Sequence, residues 1–179
     1  MRRVGEALGV EAMSLYNHVA NKAAILDGIF EAVLAEMPPL PKRKASSWQA
    51  ALRERAHALR GVFRAHPHSL PLFATRPAVT PASLAHLDGG LDVLRSAGFS
   101  ASDALSAFQV LLAFVVGHAI ASFSPAHADD ARPDYEALNA NELPRVREMA
   151  AVLHERDLEA EFSFGLEALL VGIAARHEP

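Results

Sequence analysis

Apolar side chains recur every three or four positions along most of the chain, and this spacing constrains the fold more than any other feature. Ile25, Ile29 and Val33 show the pattern in one segment. Residues spaced in this way share one face of an α-helix. No segment alternates apolar and polar positions in the manner of a half-buried strand. The sequence therefore predicts an all-α protein.

Helix-breaking and capping residues divide the pattern into separate helices. The capping signals are Ser46 with Gln49, Thr80 before Pro81, Ser100 with Asp103, and Asn139 with Glu142. The predicted helices cover about 4–8, 15–19, 22–37, 46–65, 80–98, 100–123, 139–155 and 159–176. Three prolines within 38–44 predict an exposed connector, because proline cannot continue a helix. We expect a small head with its connecting helix at 1–37 and a helical body at 45–177.

Composition narrows the class of protein. The chain of 179 residues has no cysteine, which excludes disulfide and thiolate chemistry. No uninterrupted apolar run reaches the ~18 residues that span a bilayer, so we expect a cytoplasmic protein with no membrane partner. Residues 1–44 carry six basic and five acidic side chains, whereas the remainder carries eleven and sixteen. This asymmetry permits a DNA-binding head on an acidic body.

The most specific pattern lies between residues 4 and 22, which fit a helix-turn-helix. Gly9 supplies the tight turn that this motif needs between two short helices. The shared apolar core would consist of Val4, Leu8, Val10, Leu15 and Val19. The outward-facing residues would be Ala12, Met13, Ser14 and Asn17, while the donors suited to phosphates are Tyr16, His18 and Lys22. The alternative is an amphipathic helix pair with no role in DNA binding.

The string Leu-Gly-Val-x-x-x-x-Leu-Tyr-x-His-Val-x-Asn-Lys, from Leu8 to Lys22, resembles the recognition-helix signature of the tetracycline-repressor-like (TetR) family of transcriptional regulators. The resemblance implies a homodimeric repressor that binds palindromic operator DNA and is released by a small-molecule effector. Base contacts are implied for Ala12, Met13, Ser14 and Asn17. Contacts to the phosphate backbone are implied for Tyr16, His18 and Lys22, and Arg2 is implied to reach the DNA from the preceding helix.

Members of this family have a further helix before the pair, and the sequence from Met1 onward does not contain it. We therefore expect Val4, Leu8 and Leu15 to lose part of their apolar cover, which makes the helix-turn-helix incomplete. A second interpretation follows from this departure. The chain would then be a truncated regulator that acts as a DNA-independent dimeric module for binding small molecules.

The resemblance extends through the body to the subgroup that contains the tetracycline repressor, on the strings at 47–49, 75–77, 97–100 and 162–167. It implies a ligand pocket drawn from Arg55, Leu59, Phe63, Leu72, Arg76, Phe108, Leu112 and His118. Tetracycline-binding members have Asn, Phe and His at three of these positions, so we do not expect a magnesium–tetracycline chelate to bind. The aromatic and leucine positions fit an ordinary core equally well, and Arg76 could instead cap a helix end.

The predicted helices at 102–123 and 159–176 are apolar on too many sides for the surface of a monomer. The resemblance implies that they pair across a two-fold axis as a four-helix bundle. The implied interface residues are Gly117, Phe162, Gly165, Leu166, Leu169 and Gly172. The alternative is that both are central helices of a single monomer.

Enzymatic motifs are incomplete. Glu54 and His57 have the spacing of a carboxylate-bridged di-iron motif, but no second copy occurs. His154 and Glu155 begin a zinc motif in which Leu158 replaces the second histidine. The nucleophile elbow Gly-x-Ser-x-Gly is absent. We therefore expect a protein that is not an enzyme, with no catalytic residues, no metal and no cofactor.

Overall fold

Helices account for almost all of the regular structure. The computed structural model describes residues 2–11, 13–38, 47–76, 79–124 and 134–177. Within these ranges the chain forms nine α-helices and two single turns of 3₁₀ helix, at Ser14–Asn17 and Pro67–Ser69, and no strand. The helices are α1 Arg2–Leu8, α2 Lys22–Ala35, α3 Trp48–Ala65, α4 Leu70–Thr75, α5 Pro81–Ser96, α6 Ala101–Phe123, α7 Pro144–Glu148, α8 Ala150–His154 and α9 Leu158–His177. The all-α prediction is confirmed.

Side-chain caps begin two of the long helices where the sequence predicts them. The Thr80 hydroxyl accepts a hydrogen bond from the Ser83 amide at 3.4 Å at the start of α5. At the start of α6, the Ser100 hydroxyl accepts from the Asp103 amide at 3.1 Å. Each cap satisfies one of the backbone donors that a helix N-terminus leaves unpaired.

Two other predicted starts differ. Ser46 lies outside the described residues, and the cap of α3 is Ser47, whose hydroxyl accepts from the Ala50 amide at 3.1 Å. The predicted helix at 139–155 is replaced by α7 and α8. The reason is local, because the Asn139 carboxamide accepts from the Asn141 amide at 3.0 Å and forms a turn instead of a helical start.

The core of the body surrounds α6, which packs against α3, α4, α5 and α9. Its inward face contributes Ala104, Ala107, Leu111, Val115 and Ala119. The largest fully buried side chains around it are Phe63, Leu70, Leu94, Phe162, Leu166 and Leu170. Burial of each such side chain stabilises the fold by about 1.5–3 kcal/mol before entropy is counted.

The outer face of α6 stays apolar although it is not covered. By length and composition α6 could cross a membrane, with a mean hydropathy of 2.0 over its most apolar window. The sequence prediction missed this, because it treated Gly117, His118 and Ser122 as interruptions. Only 28% of that window is buried. One side of α6 therefore belongs to the core, and the other side is an exposed apolar stripe.

The last helix has the same two-sided character, and it places two predicted interface residues on the inside. Phe162 and Leu166 are fully buried within one chain, so they do not face outward. The outward stripe of α9 carries Phe164, which is 78% exposed, and Val171, which is 68% exposed. Because α9 is apolar all round, its sequence pattern cannot separate the inner stripe from the outer one.

Gly165, a third predicted interface residue, instead faces Phe114 of the same chain and allows α9 to approach α6 closely. A Cβ at this position would lie 2.6 Å from the Phe114 ring, whose face is stacked on Phe162 at a centroid distance of 5.4 Å. We expect Gly165→Ala to lower the free energy of unfolding by about 1–3 kcal/mol, because the ring cannot move aside without disturbing the stack. Chemical denaturation measures the change.

Gly61→Ala is the matched control. Gly61 is exposed in the middle of α3, and a Cβ there meets nothing within 4 Å. We expect this variant to gain about 0.5–1 kcal/mol from helix propensity. Equal effects at the two glycines would contradict the close packing of α9 on α6.

Candidate functional site

The helical body contains a cavity of about 220 Å³ bounded mainly by α2, α3, α5 and α6. Most of its wall is apolar. The principal wall residues are Phe30, Leu34, Leu59, Phe63, Phe73, Phe108 and Leu112. An enclosed apolar space with a few polar groups is the usual form of a small-molecule site.

Most of the pocket residues that the resemblance implies lie together at this cavity. The expected residues that line it are Arg55, Leu59, Phe63, Arg76, Phe108 and Leu112. Leu72 is partly buried on α4 and is not part of the lining. His118 is also outside it. The geometry therefore brings six of the eight positions to one cavity.

Arg55 and His86 form a hydrogen-bonded chain at the polar end of the cavity. Arg55 Nη2 donates to His86 Nδ1, and His86 Nε2 donates to the Leu34 carbonyl at 3.1 Å. Arg55 Nη1 donates to the Pro38 carbonyl at 2.8 Å. Burial lowers the pKa of His86, and the nearby Arg55 charge lowers it further. His86 is therefore held as the neutral tautomer with its proton on Nε2.

Arg76 joins the other edge of the cavity to the first half of α2. Its Nε donates to the Asp27 carboxylate at 2.7 Å, and its Nη2 donates to the Ala23 carbonyl at 3.2 Å. Arg76 follows α4 directly, but its side chain bonds to a neighbouring helix and does not cap the end of α4. Arg76 thus holds the first half of α2 directly, whereas Arg55 holds the Pro38 carbonyl just past its end and reaches the last turn through His86.

His86 is a lining residue that the sequence prediction missed. Ser83, His86, Leu87 and Gly90 all line the cavity, and they are spaced at i, i+3, i+4 and i+7 along α5. This spacing marks a single helix face, so it was the available signal. A Cβ at Gly90 would lie 2.5 Å from the Phe108 ring, so this glycine allows the aromatic wall to sit against α5.

His118 faces α9 instead of the cavity. Its ring meets Phe162 edge-on at 5.2 Å, and its Nδ1 lies 3.1 Å from the Ser122 hydroxyl. Its Nε2 has no hydrogen-bond partner among the described residues, and the nearest carboxylate, of Glu161, is 4.0 Å away. His118 comes about two turns after Leu111 on α6, so it lies beyond the cavity wall, where Phe162 of α9 packs against it.

Arg60 is a buried cation that the sequence did not reveal. Its guanidinium lies between two aromatic rings, 5.1 Å from the centroid of Phe123 and 4.7 Å from that of Phe162. It also pairs with Glu159 and donates to the Leu158 carbonyl at 3.1 Å. This contact ties α3 to the start of α9.

The head presents most of its predicted DNA contacts at the surface. Arg2, Met13, Asn17, His18 and Lys22 are exposed, and Ala12 lies outside the described residues. Ser14 and Tyr16 are partly buried in the single 3₁₀ turn that stands where a short helix was predicted.

The predicted apolar core of the helix pair is largely uncovered. Val4 and Val10 are exposed, and Leu8 is 63% exposed. Asn21 then caps α2, because its carboxamide accepts from the Ala24 amide at 2.9 Å. Lys22 is therefore the first residue of the helix that connects the head to the cavity.

Comparison with known proteins indicates the same class of protein that the sequence signature predicts. Residues 40–177 match the family described as tetracyclin repressor-like, C-terminal domain. The chain is 33% identical to the tetracycline repressor protein class C of Escherichia coli, over 96% of this chain and 78% of that protein.

Solved structures of similar fold belong to the same class of protein. A possible TetR family transcriptional regulator from Streptomyces coelicolor superposes with a TM-score of 0.86 at 30% identity, covering 97% of this chain and 88% of the other. The TetR family protein ActR from the same organism, in complex with actinorhodin, gives 0.81 at 26% identity, covering all of this chain and 88% of ActR. The chain therefore belongs to the TetR family of transcriptional regulators.

The isolated histidine on α6 provides a pH test of the packing between α6 and α9. Burial, and then the Arg60 charge, lower the pKa of His118 from its ordinary 6.5, while Glu161 and Glu159 oppose the shift and Arg156 adds to it. The folded protein therefore binds the proton less readily than the unfolded chain does. We expect the free energy of unfolding to fall as the pH drops below about 6.5, and His118→Asn to reduce that pH dependence.

Urea denaturation at about pH 7.5 and about pH 5 measures the difference between the two proteins. His68→Asn is the control, because His68 is exposed on the 3₁₀ turn before α4. An unchanged pH slope in His118→Asn would show that this histidine titrates alike in the folded and unfolded chains.

Proposed function

We propose that this protein is a cytoplasmic, ligand-responsive transcriptional repressor that acts as a homodimer on a palindromic operator. A small molecule enters the cavity and releases the protein from DNA. One observation carries the proposal: α2 begins at the head with Lys22 and forms one wall of the cavity with Phe30 and Leu34. A ligand in the cavity therefore touches the same helix that supports the DNA-binding end.

The relatives support a cavity that binds ligands. One is named a tetracycline repressor, and the ActR structure holds actinorhodin. For this chain we propose a different ligand from tetracycline, because Arg55, Leu59 and Leu72 replace the Asn, Phe and His of tetracycline-binding members. A tight, magnesium-dependent complex with tetracycline would overturn that part of the proposal.

The head supplies the proposed DNA contacts in two kinds. Base contacts are proposed for Ala12, Met13, Ser14 and Asn17, and phosphate contacts for Tyr16, His18 and Lys22. Arg2 is proposed to reach the DNA from the preceding helix. A dimer presents two such heads, so its operator would have half-sites about one helical turn, ~34–36 Å, apart. An effector that favours a conformation with wrongly spaced heads lowers the affinity of the protein for DNA. By linkage, bound DNA lowers the affinity of the protein for the effector by the same factor.

Lys22→Ala and Asn17→Ala separate the two kinds of contact. We expect Lys22→Ala to weaken binding to every DNA sequence and to reduce the slope of log affinity against log salt by about 0.9, because one phosphate contact is lost. We expect Asn17→Ala to change which base is preferred at one position, by about 1–3 kcal/mol. Fluorescence anisotropy of the full-length gene product on promoter DNA of its own gene measures both.

Arg64→Ala is the control, since it removes one exposed positive charge from the body. If the control lowers the salt slope as much as Lys22→Ala does, the contact is nonspecific attraction of the whole chain. If the wild-type protein binds its promoter DNA no better than random DNA, the repressor proposal fails.

The proposed dimer surface is the outward stripe of α6 and α9. Val110 and Phe164 are exposed on neighbouring helices, and Val171 lies two turns further along α9. Large exposed apolar patches on a protein usually mark a surface at which it associates with another molecule. Gly117 and Gly172 are exposed on the same two helices, and Leu169 is partly buried, which leaves these three as proposed contacts.

We expect Phe164→Glu to convert the dimer into a monomer, because a carboxylate buried in an apolar interface costs several kcal/mol. Val152→Glu is the control, an equally large change at an exposed position on α8. Sedimentation velocity at micromolar concentration distinguishes the outcomes. A wild-type protein that sediments as a monomer, or a Phe164→Glu variant that remains dimeric, contradicts the proposed surface.

A further inference from the structure

Arg55 is a half-buried cation in largely apolar surroundings. It lines the apolar cavity, and within the described part of the chain it has no carboxylate partner. Five other arginines of the body do have one, in the pairs Arg53–Glu167, Arg60–Glu159, Arg76–Asp27, Arg145–Glu148 and Arg156–Glu161. Among the described residues that line the cavity there is no aspartate or glutamate.

A guanidinium in apolar surroundings loses hydration and gains little from neutral partners. Burial accordingly lowers the pKa of Arg55, although an arginine stays charged at physiological pH. Its present partners, His86 and the Pro38 carbonyl, are both neutral acceptors. An anion that brings its own apolar surface would match both the charge and the wall of this cavity.

The same partners hold the end of α2. The last four carbonyls of an α-helix lack an N–H donor within the helix. The helix dipole also makes this end negative, which favours a nearby cation. Arg55 reaches the Pro38 carbonyl just past the end of α2, and through His86 it reaches the Leu34 carbonyl in the last turn. The positive charge of Arg55 therefore helps to hold the end of the helix that leads to the head.

We propose that the effector is an apolar molecule with one acidic group, which binds Arg55 and so breaks the contacts that Arg55 and His86 make with the end of α2. This inference rests on the proposed function, because it names the ligand class and the release step of that cavity. A carboxylate carries the opposite charge and can accept two parallel N–H bonds from the guanidinium, so it outcompetes the neutral Pro38 carbonyl. Arg76 still holds α2 near its start, so the end near Pro38 is the one released.

The first experiment compares naphthoate with naphthamide, two probes of the same shape of which only naphthoate is charged. Isothermal titration calorimetry on the full-length protein gives both affinities. We expect naphthoate to bind at least about tenfold more tightly than naphthamide. We expect Arg55→Gln to remove this preference while naphthamide binds as before.

Two further variants complete the comparison. Arg64→Gln makes the same chemical change at an exposed position of α3 outside the cavity, and we expect it to keep the preference. Arg55→Lys keeps the charge but loses the planar fork of the guanidinium. We therefore expect its preference for naphthoate to be weaker than that of the wild-type protein and stronger than that of Arg55→Gln. This variant also preserves the test if Arg55→Gln does not fold.

The second experiment measures amide hydrogen exchange in the peptide covering residues 33–38 with each probe bound. We expect naphthoate to speed exchange there and naphthamide to leave it unchanged, because only the anion takes Arg55 away from the end of α2. In Arg55→Gln we expect fast exchange without any ligand.

The outcomes separate the inference from the function on which it rests. Equal binding of the two probes, or an anion preference that survives Arg55→Gln, overturns the proposed ligand class. Arg55-dependent binding of naphthoate with unchanged exchange at 33–38 overturns the release step. In each of these cases promoter binding by the wild-type protein would still support a repressor. If the ligand-free protein shows no specific promoter binding although naphthoate binds at Arg55, the repressor is instead rejected and the anion site is kept.

Discussion

The packing of small side chains along α6 is the constraint on which the rest of the body depends. Ala104, Ala107 and Ala119 are buried on its inward face, and they let neighbouring helices approach its backbone closely. Gly165 of α9 has the same effect, because it leaves room for the Phe114 ring of α6. A long apolar helix can then serve both as the centre of a core and as an exposed stripe. Larger residues at these positions would push α3 and α9 apart.

The cavity follows from the same packing. Close approach of α3 and α9 to α6 leaves α2 and α5 to enclose a space that the aromatic wall does not fill. Gly90 lets the Phe108 ring lie against α5, where a Cβ would collide with it. The polar groups at its edge already have partners, since His86 and Arg76 bond to α2 and Arg55 bonds to the Pro38 carbonyl just past its end. Occupancy of the cavity and the position of α2 are therefore linked through particular hydrogen bonds.

Much of the fold was predictable because the signals are local. The capping residues Thr80 and Ser100 begin α5 and α6 where the sequence places them, since a cap involves only neighbouring amides. The helix predicted from Asn139 was wrong for an equally local reason, a side-chain turn that competes with the helix. The short α4 was not predicted, because six residues are too few for a helical period to show.

The sequence alone determined the helical class, the signature between Leu8 and Lys22, and thereby the family. Only the tertiary structure decided which faces meet. Phe162 and Leu166 point inward while Phe164 points outward, and a helix that is apolar on all sides carries no signal for that choice. Arg55 and His86 lie 31 residues apart on different helices, and they meet only because α3 and α5 pack against the same wall. Periodicity identifies a buried face, but the partner of that face is set by the packing of the whole chain.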